Sequence, residues 1–178
     1  MKQIEEILNF IVEIEKLKGV QRKTKPVGFE RYENSAEHSW HVCLSALMLK
    51  DFANEPVNIE RVIKMLLIHD LGEIDAGDTI IYASETNELK GEEATAIKRI
   101  LSILPDGMED ELMELWYEFE AGETADSKFA KAVDRVPPLL HNIHGDGHSW
   151  KAHGITKDKV FSVMRNKLET AVYDGILK

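Results

Sequence analysis

Apolar residues recur at helical spacing along most of the chain. Ile4, Ile7, Leu8, Ile11, Ile14 and Leu17 form one stripe, and Ile59, Val62, Ile63, Leu66 and Leu67 form another. Each stripe needs a core to cover it. A third segment opens at Asn34 or Ser35, where Asn34 and Glu37 have the spacing of a capping box. It runs through Trp40, Leu44, Leu47 and Met48 to Phe52. Pro56 and Asn58 punctuate the next start. The pattern predicts further helices over about 92–104, 109–120, 124–140 and 156–173, with Asn58, Thr124 and Thr156 as N-caps. Ile80, Ile81 and Tyr82 make the only β-like run, too short to seed a sheet. The predicted fold class is therefore all-α. Two irregular stretches, 18–33 and 72–90, interrupt the helices, and loops on a rigid scaffold tend to carry binding residues. No repeat, low-complexity tract or linker divides the chain, so a single domain over 1–178 is expected.

Composition narrows the chemistry. The 178 residues include 22 Lys and Arg against 32 Asp and Glu, a formal charge of −10. Such an excess repels a polyphosphate backbone, which argues against a nucleic acid polymer as partner. A small phosphorylated ligand needs only a local basic patch. Residues 16–25 supply one, with Lys16, Lys18, Arg22, Lys23 and Lys25 making five of the 22 basic residues. A single thiol, Cys43, forms no internal bridge and points to a reducing, cytoplasmic location. Glutamates interrupt the N-terminal MKQIEEILNF where a signal peptide would be apolar. No run approaches the roughly 18 apolar residues of a membrane span, so no membrane partner is expected.

The strongest chemical feature is His69-Asp70, directly after an apolar helical stripe and followed by Leu71-Gly72. A carboxylate beside an imidazole at the end of a core-facing helix costs several kcal/mol unless something compensates, and a divalent cation would. A lone His-Asp pair is more often an ordinary hydrogen-bonded pair. Here His38 lies near the start of the third helical segment, and Asp134 follows Val133 on the Phe129, Ala132, Val133, Val136 stripe. Both are placed to reach the edge of a core. Two imidazoles and two carboxylates suit Mn, Fe, Co, Ni or Zn and leave positions open for water and substrate.

The order His38, His69-Asp70, Asp134 on distinct helices resembles the H…HD…D pattern of the HD-domain phosphohydrolase superfamily. The likeness runs over roughly residues 4–172. It includes Ser35-Ala36-Glu37-His38-Ser39-Trp40, His69-Asp70-Leu71-Gly72-Glu73, Gly77-Asp78 and Lys131-Ala132-Val133-Asp134-Arg135. These fragments are most similar to the branch containing 5′-deoxynucleotidases. The resemblance implies an HD-domain helical bundle with a mononuclear metal site between helices. It also implies hydrolysis of (deoxy)nucleoside 5′-monophosphates by attack of a metal-activated water. It makes His38, His69, Asp70 and Asp134 the ligands of one divalent metal (Mn, Co, Ni, Zn, Fe or Mg), Glu73 and Asp78 catalytic carboxylates, and Arg22 a phosphate contact. A homodimer is compatible with it.

Residue chemistry fits these roles. Glu73 and Asp78 follow Asp70 across a turn containing Gly72 and Gly77, so either is able to hydrogen-bond a water or protonate a leaving alkoxide. Arg22 offers a planar fork to phosphate, and Lys23 a point charge. Cations at a helix C-terminus account for Lys16 and Lys18 but less well for Arg22, Lys23 and Lys25. Arg31 and Lys90 are weaker phosphate candidates. Bacterial 5′-deoxynucleotidases pair the phosphate arginine with a following Trp. Lys23 stands there in this chain, so a preference for deoxyribose does not transfer.

Pro137-Pro138 either kinks the Asp134 helix, re-aiming that side chain, or ends it. His41, one turn after His38, is expected in the core or on the surface rather than as a donor to the site. The run His144-Gly145-Asp146-Gly147-His148 reads as a flexible turn. Trp116, Tyr117 and Phe119 read as core. No His occurs between Asp70 and Asp134, where binuclear HD proteins generally add ligands, which favours one metal and a hydrolase over an oxygenase. The alternatives are a non-catalytic nucleotide- or metal-binding protein of the same fold and a phosphohydrolase for another small phosphate ester.

Overall fold

The computed structural model describes residues 1–79, 87–168 and 171–172, with backbone alone for 87–90 and 166–168. The helices are α1 (Lys2–Ile14), α2 (Ser35–Leu49), α3 (Ile59–Ile68), α4 (Glu73–Ala76), α5 (Asn87–Leu101), α6 (Met108–Ala121), α7 (Ala125–His144), α8 (His148–Ala152) and α9 (Lys157–Leu168). Single turns of 3-10 helix extend α1 over Glu15–Gly19 and α2 over Lys50–Phe52. Among the described residues, extended pairing is limited to two isolated antiparallel bridges, Gln21 with Asn34 and Ala53 with Val172. The all-α expectation holds, and the Ile80-Ile81-Tyr82 run lies outside the described residues. No helix among those described is long and apolar enough to cross a membrane.

Helix starts follow side-chain chemistry. Asn34 accepts from the Glu37 N–H while Glu37 accepts from the Asn34 N–H, the reciprocal box expected at the head of α2. Asn58 accepts from the Arg61 N–H, Thr124 from that of Ser127 and Thr156 from that of Lys159. α2, α3 and α7 pack on one another at the centre. α6 covers α3 and α7, α5 lies against α4 and α6, and α8 and α9 close on α7. Phe129, Met65, Leu66, Val42 and Val62 are fully buried where the three central helices meet.

Three expectations need correction. The large apolar residues of α2 face outward: Trp40 is 65% and Met48 66% exposed, with Leu44 and Leu47 also exposed. Its inner face is Ser35, His38, Ser39, Val42 and Ala46. Small and polar side chains sit there because α3 and α7 approach closely and because this face carries part of the candidate site. The prolines neither end nor interrupt α7, which runs on through Pro137 and Pro138 to His144. Their missing N–H groups leave the carbonyls of Val133 and Asp134 without the usual i+4 donors. The 144–148 run turns at Gly145 and Asp146 between α7 and α8, as its glycines suggest, and the Tyr32 hydroxyl sits 3.0 Å from His148 Nε2. Trp116 and Phe119 are core as expected, whereas Tyr117 is 55% exposed.

Candidate metal centre and anion pocket

The chain leaves α3 at His69 and turns immediately, with the Leu71 N–H bonded to the Ile68 carbonyl and the Glu73 N–H to that of Asp70. Gly72, at φ −59°, serves the packing of this turn rather than its conformation. A Cβ there would lie 3.2 Å from the Glu93 carbonyl oxygen, so α4 and α5 approach through it. His69 and Asp70 are thereby held at the end of the buried face of α3, facing His38 on α2 and Asp134 on α7.

His38, His69 and Asp134 converge, with their ligand-type atoms all within 4.8 Å of one another and all three residues buried. His38 Nε2 lies 2.9 Å and His69 Nε2 3.4 Å from Asp134 Oδ1. His69 Nδ1–H donates to the Leu66 carbonyl at 2.8 Å, which fixes the ring and turns Nε2 inward. That Nε2 is buried and has no hydrogen-bond partner, although Asp70 Oδ1 is 3.1 Å away. Donors sharing a near-tetrahedral ion at roughly 2.0–2.2 Å stand about 3 to 3.5 Å apart, so spacing and orphaned nitrogen both fit a bound divalent metal. Asp70 borders the same cluster, with Oδ2 3.9 Å from His38 Nε2, but this oxygen also accepts a 2.7 Å bond from Arg22.

Charge is concentrated around Arg22. Its guanidinium, largely buried, lies 3.6 Å from Glu73, 3.5 Å from Asp78 and 3.7 Å from Glu33, besides the bond to Asp70. Burial opposes the Arg22 charge, but Asp70, Glu73 and Asp78 outweigh it and raise its pKa. Burial would also raise Asp70; His69 and Arg22 reverse this and hold its carboxyl well below the usual range. Asp134 behaves likewise beside Arg135, His38 and His69. Burial would lower His69, yet Asp70 and Asp134 push it up to about 10. These two carboxylates thus create a position that favours positive charge. Glu73 moves the other way: burial and the neighbouring Asp70 push its carboxyl up to about 8 against the pull of Arg22, while the Ser35 hydroxyl donates to it at 2.5 Å. Asp78 is also raised, chiefly by burial.

A cavity opens beside the cluster. Its lining includes Arg22, Lys23, Thr24, Asp78, Asp134, Asn142 and Trp150. The structure therefore gathers all eight singled-out residues in one neighbourhood, with Lys23 exposed at the margin. Arg31 is elsewhere, engaged with Glu37 through both guanidinium nitrogens at 2.5 and 2.9 Å. The Lys90 side chain lies outside the described residues. Two supporting groups escaped the sequence reading, Ser35 as donor to Glu73 and Glu33 beside Arg22. Their proximity to the Asn34 cap was the available signal.

The chain belongs to the HD-domain family, whose profile matches residues 14–174. It is 31% identical over 112 residues to the 5'-deoxynucleotidase HDDC2 of Homo sapiens, an alignment covering 62% of this chain and 53% of that protein. The Schizosaccharomyces pombe 5'-deoxynucleotidase hdd1 is 26% identical over 113 residues, covering 61% of this chain and 56% of that protein. The chain thus spans about half the length of the curated relatives it matches. Among solved structures, a protein described as a "predicted metal-dependent phosphohydrolase" from Magnetospirillum magnetotacticum MS-1 superposes with a TM-score of 0.89. It is 43% identical, over 97% of this chain and 88% of that one. A conserved hypothetical protein from Pyrococcus furiosus shares the fold at a TM-score of 0.65 and 21% identity, over 90% of this chain and 98% of that one.

Proposed function

We propose that this protein, acting as a single HD domain over 1–178, is a metal-dependent phosphohydrolase that removes phosphate from (deoxy)nucleoside 5′-monophosphates. The observation carrying this reading is the buried His38, His69 and Asp134 cluster with an unpartnered Nε2, bordered by Arg22 and opening on a cavity edged with cationic side chains. The names of the relatives support the substrate class.

In this reading His38, His69, Asp70 and Asp134 hold one divalent ion, among Mn, Co, Ni, Zn, Fe and Mg. Such an ion lowers the pKa of coordinated water toward about 7 and offsets phosphoryl charge. Arg22 gives the phosphate its guanidinium fork, exchanging part of its contact with Asp70, and Lys23 adds charge at the cavity margin. Glu73 retains its proton near neutral pH because of burial and Asp70, which suits it to protonate the leaving 5′ oxygen. Ser35 fixes the orientation of that carboxyl. Asp78, 3.5 Å from the same guanidinium nitrogen that Glu73 neighbours, is available to accept a proton from the attacking water. A homodimer is part of the proposal, and a concentration-independent monomer mass in ultracentrifugation would remove it.

The test is phosphate release from ribo- and deoxynucleoside 5′-monophosphates, using chelator-stripped protein reloaded with each metal and compared with Asp70→Ala. Metal-dependent release lost in the variant is the expected result. Nucleotide binding without release in any metal would favour a non-catalytic binder. Release only from other small phosphate esters would relocate the substrate.

A further inference from the structure

Beyond the cluster already described, a second set of ligand-type side chains converges. Glu33 from the segment before α2, His41 from α2 and His141 from α7 bring their ligand-type atoms within 4.8 Å of one another. Glu33 is 2% and His141 7% exposed, and His41 is half-buried. An ordinary buried carboxylate would be surrounded by short hydrogen bonds. Among the described residues, the side-chain bond to Glu33 Oε2 within hydrogen-bond geometry is the one from Thr24 at 3.3 Å. Its nitrogen neighbours stand off, with His38 Nδ1 at 3.6 Å, Arg22 Nε at 3.7 Å and His141 Nδ1 at 3.8 Å. His141 Nδ1 is moreover buried with no hydrogen-bond partner. An aromatic-edged groove bounded by Phe29, Trp40 and Leu140 connects these three residues to solvent.

We propose that Glu33, His41 and His141 form a second metal site, separate from the cluster of His38, His69 and Asp134. Two imidazoles and one carboxylate select a borderline divalent ion such as Zn, Co or Ni over Mg or Ca, which favour all-oxygen shells. The three ligands leave positions for water on the groove side. The two sites share a wall. The His38 imidazole lies between them, with Nε2 2.9 Å from Asp134 and Nδ1 3.6 Å from Glu33. Neither site needs the other to be occupied, and the second does not depend on the phosphohydrolase reading.

The test is metal stoichiometry. Chelator-stripped full chain is titrated with Co, followed by its visible absorption and by elemental analysis after desalting. Wild type should bind two equivalents; His41→Ala, His141→Ala and Asp134→Ala should each bind one; and the pair His41→Ala with Asp134→Ala should bind none. His41→Gln, which preserves size and polarity, should show the same loss with an unchanged circular dichroism spectrum. The proposal is overturned if wild type binds one equivalent that Asp134→Ala abolishes, or if both histidine variants keep two. Wild type and Asp134→Ala that bind equally, with an equivalent lost in His41→Ala, would uphold this site and sink the assignment of the first.

Discussion

α7 and α1 look alike as sequence patterns, since both carry an apolar stripe at helical spacing. The structure treats them in opposite ways. α7 buries eleven residues and is enclosed by α2, α3, α6, α8 and α9, whereas α1 buries none completely. Ile7, Phe10 and Ile14 of α1 rest partly on the core, while Ile4, Leu8, Ile11 and Val12 remain exposed. The enclosed helix is also the one that carries Asp134 and His141. A carboxylate keeps its charge inside a protein only when surrounding groups compensate it, and an element packed on all sides can supply them from several directions. α1 is tied to the fold by the Leu17 turn beyond it and by the Glu13 to Arg99 ion pair at 2.8 Å.

The contrast can be broken or sharpened by experiment. Asp134→Ala should lose the equivalent of metal held by the His38, His69 and Asp134 cluster and reduce phosphate release by orders of magnitude, since it leaves His38 and His69 facing no carboxylate on α7; unchanged metal content and near-normal turnover would detach α7 from the site. Next, Glu73→Gln should lower turnover roughly 10²- to 10⁴-fold, the range for loss of a positioned acid or base, with metal content unchanged. A variant as fast as wild type would exclude Glu73 from proton transfer. Phe129→Ala, at the fully buried centre of α7, should cost about 3–5 kcal/mol in denaturant unfolding.

A smaller effect concerns pH in chelator-stripped protein. Glu73 keeps its proton when folded over a range where the unfolded chain has released it, so its contribution to stability is lost as pH rises from 4.5 to about 8. His69, raised from 6.5 to about 10, likewise loses its contribution over that higher interval. The melting temperature should therefore fall from pH 5 to pH 9, and Glu73→Gln should flatten the lower half of the decline. An unchanged profile in that variant would remove Glu73 as its source. Smallest of all, Leu8→Ser on the exposed side of α1 should change stability by less than about 0.5 kcal/mol. A loss comparable to that of Phe129→Ala would mean that this face is covered by something in solution.

Much of this architecture is legible in the amino-acid sequence. Caps at Asn34, Asn58, Thr124 and Thr156 announce helix starts because each supplies an oxygen to an otherwise unbonded N–H. Four site residues, His38, His69, Asp70 and Asp134, stood out through the ordered pattern they share with a known family. The inner face of α2 was hidden for a physical reason: hydrophobic periodicity follows large residues, and close packing with a polar site had placed Ser35, Ser39 and Ala46 inside and Trp40 outside. α4 and α8, four and five residues long, are too short for a periodic signal. Glu33 escapes the sequence because its place beside the Asn34 cap marks a helix start and not a burial, which for one acid among 32 only the fold reveals.

The bridge beside Asn34 gives the site a fixed scale. The Arg22 N–H bonds to the Glu33 carbonyl at 2.8 Å and the Glu33 N–H to the Thr24 carbonyl at 3.0 Å, so the two ends of the intervening loop are stapled together. The interval between the guanidinium and the head of α2 is consequently set like a ruler by two backbone hydrogen bonds. It does not depend on what lies between. Residues 25–32 can then make contacts of their own, Arg31 with Glu37 and Tyr32 with His148, while the spacing from guanidinium to imidazole stays constant.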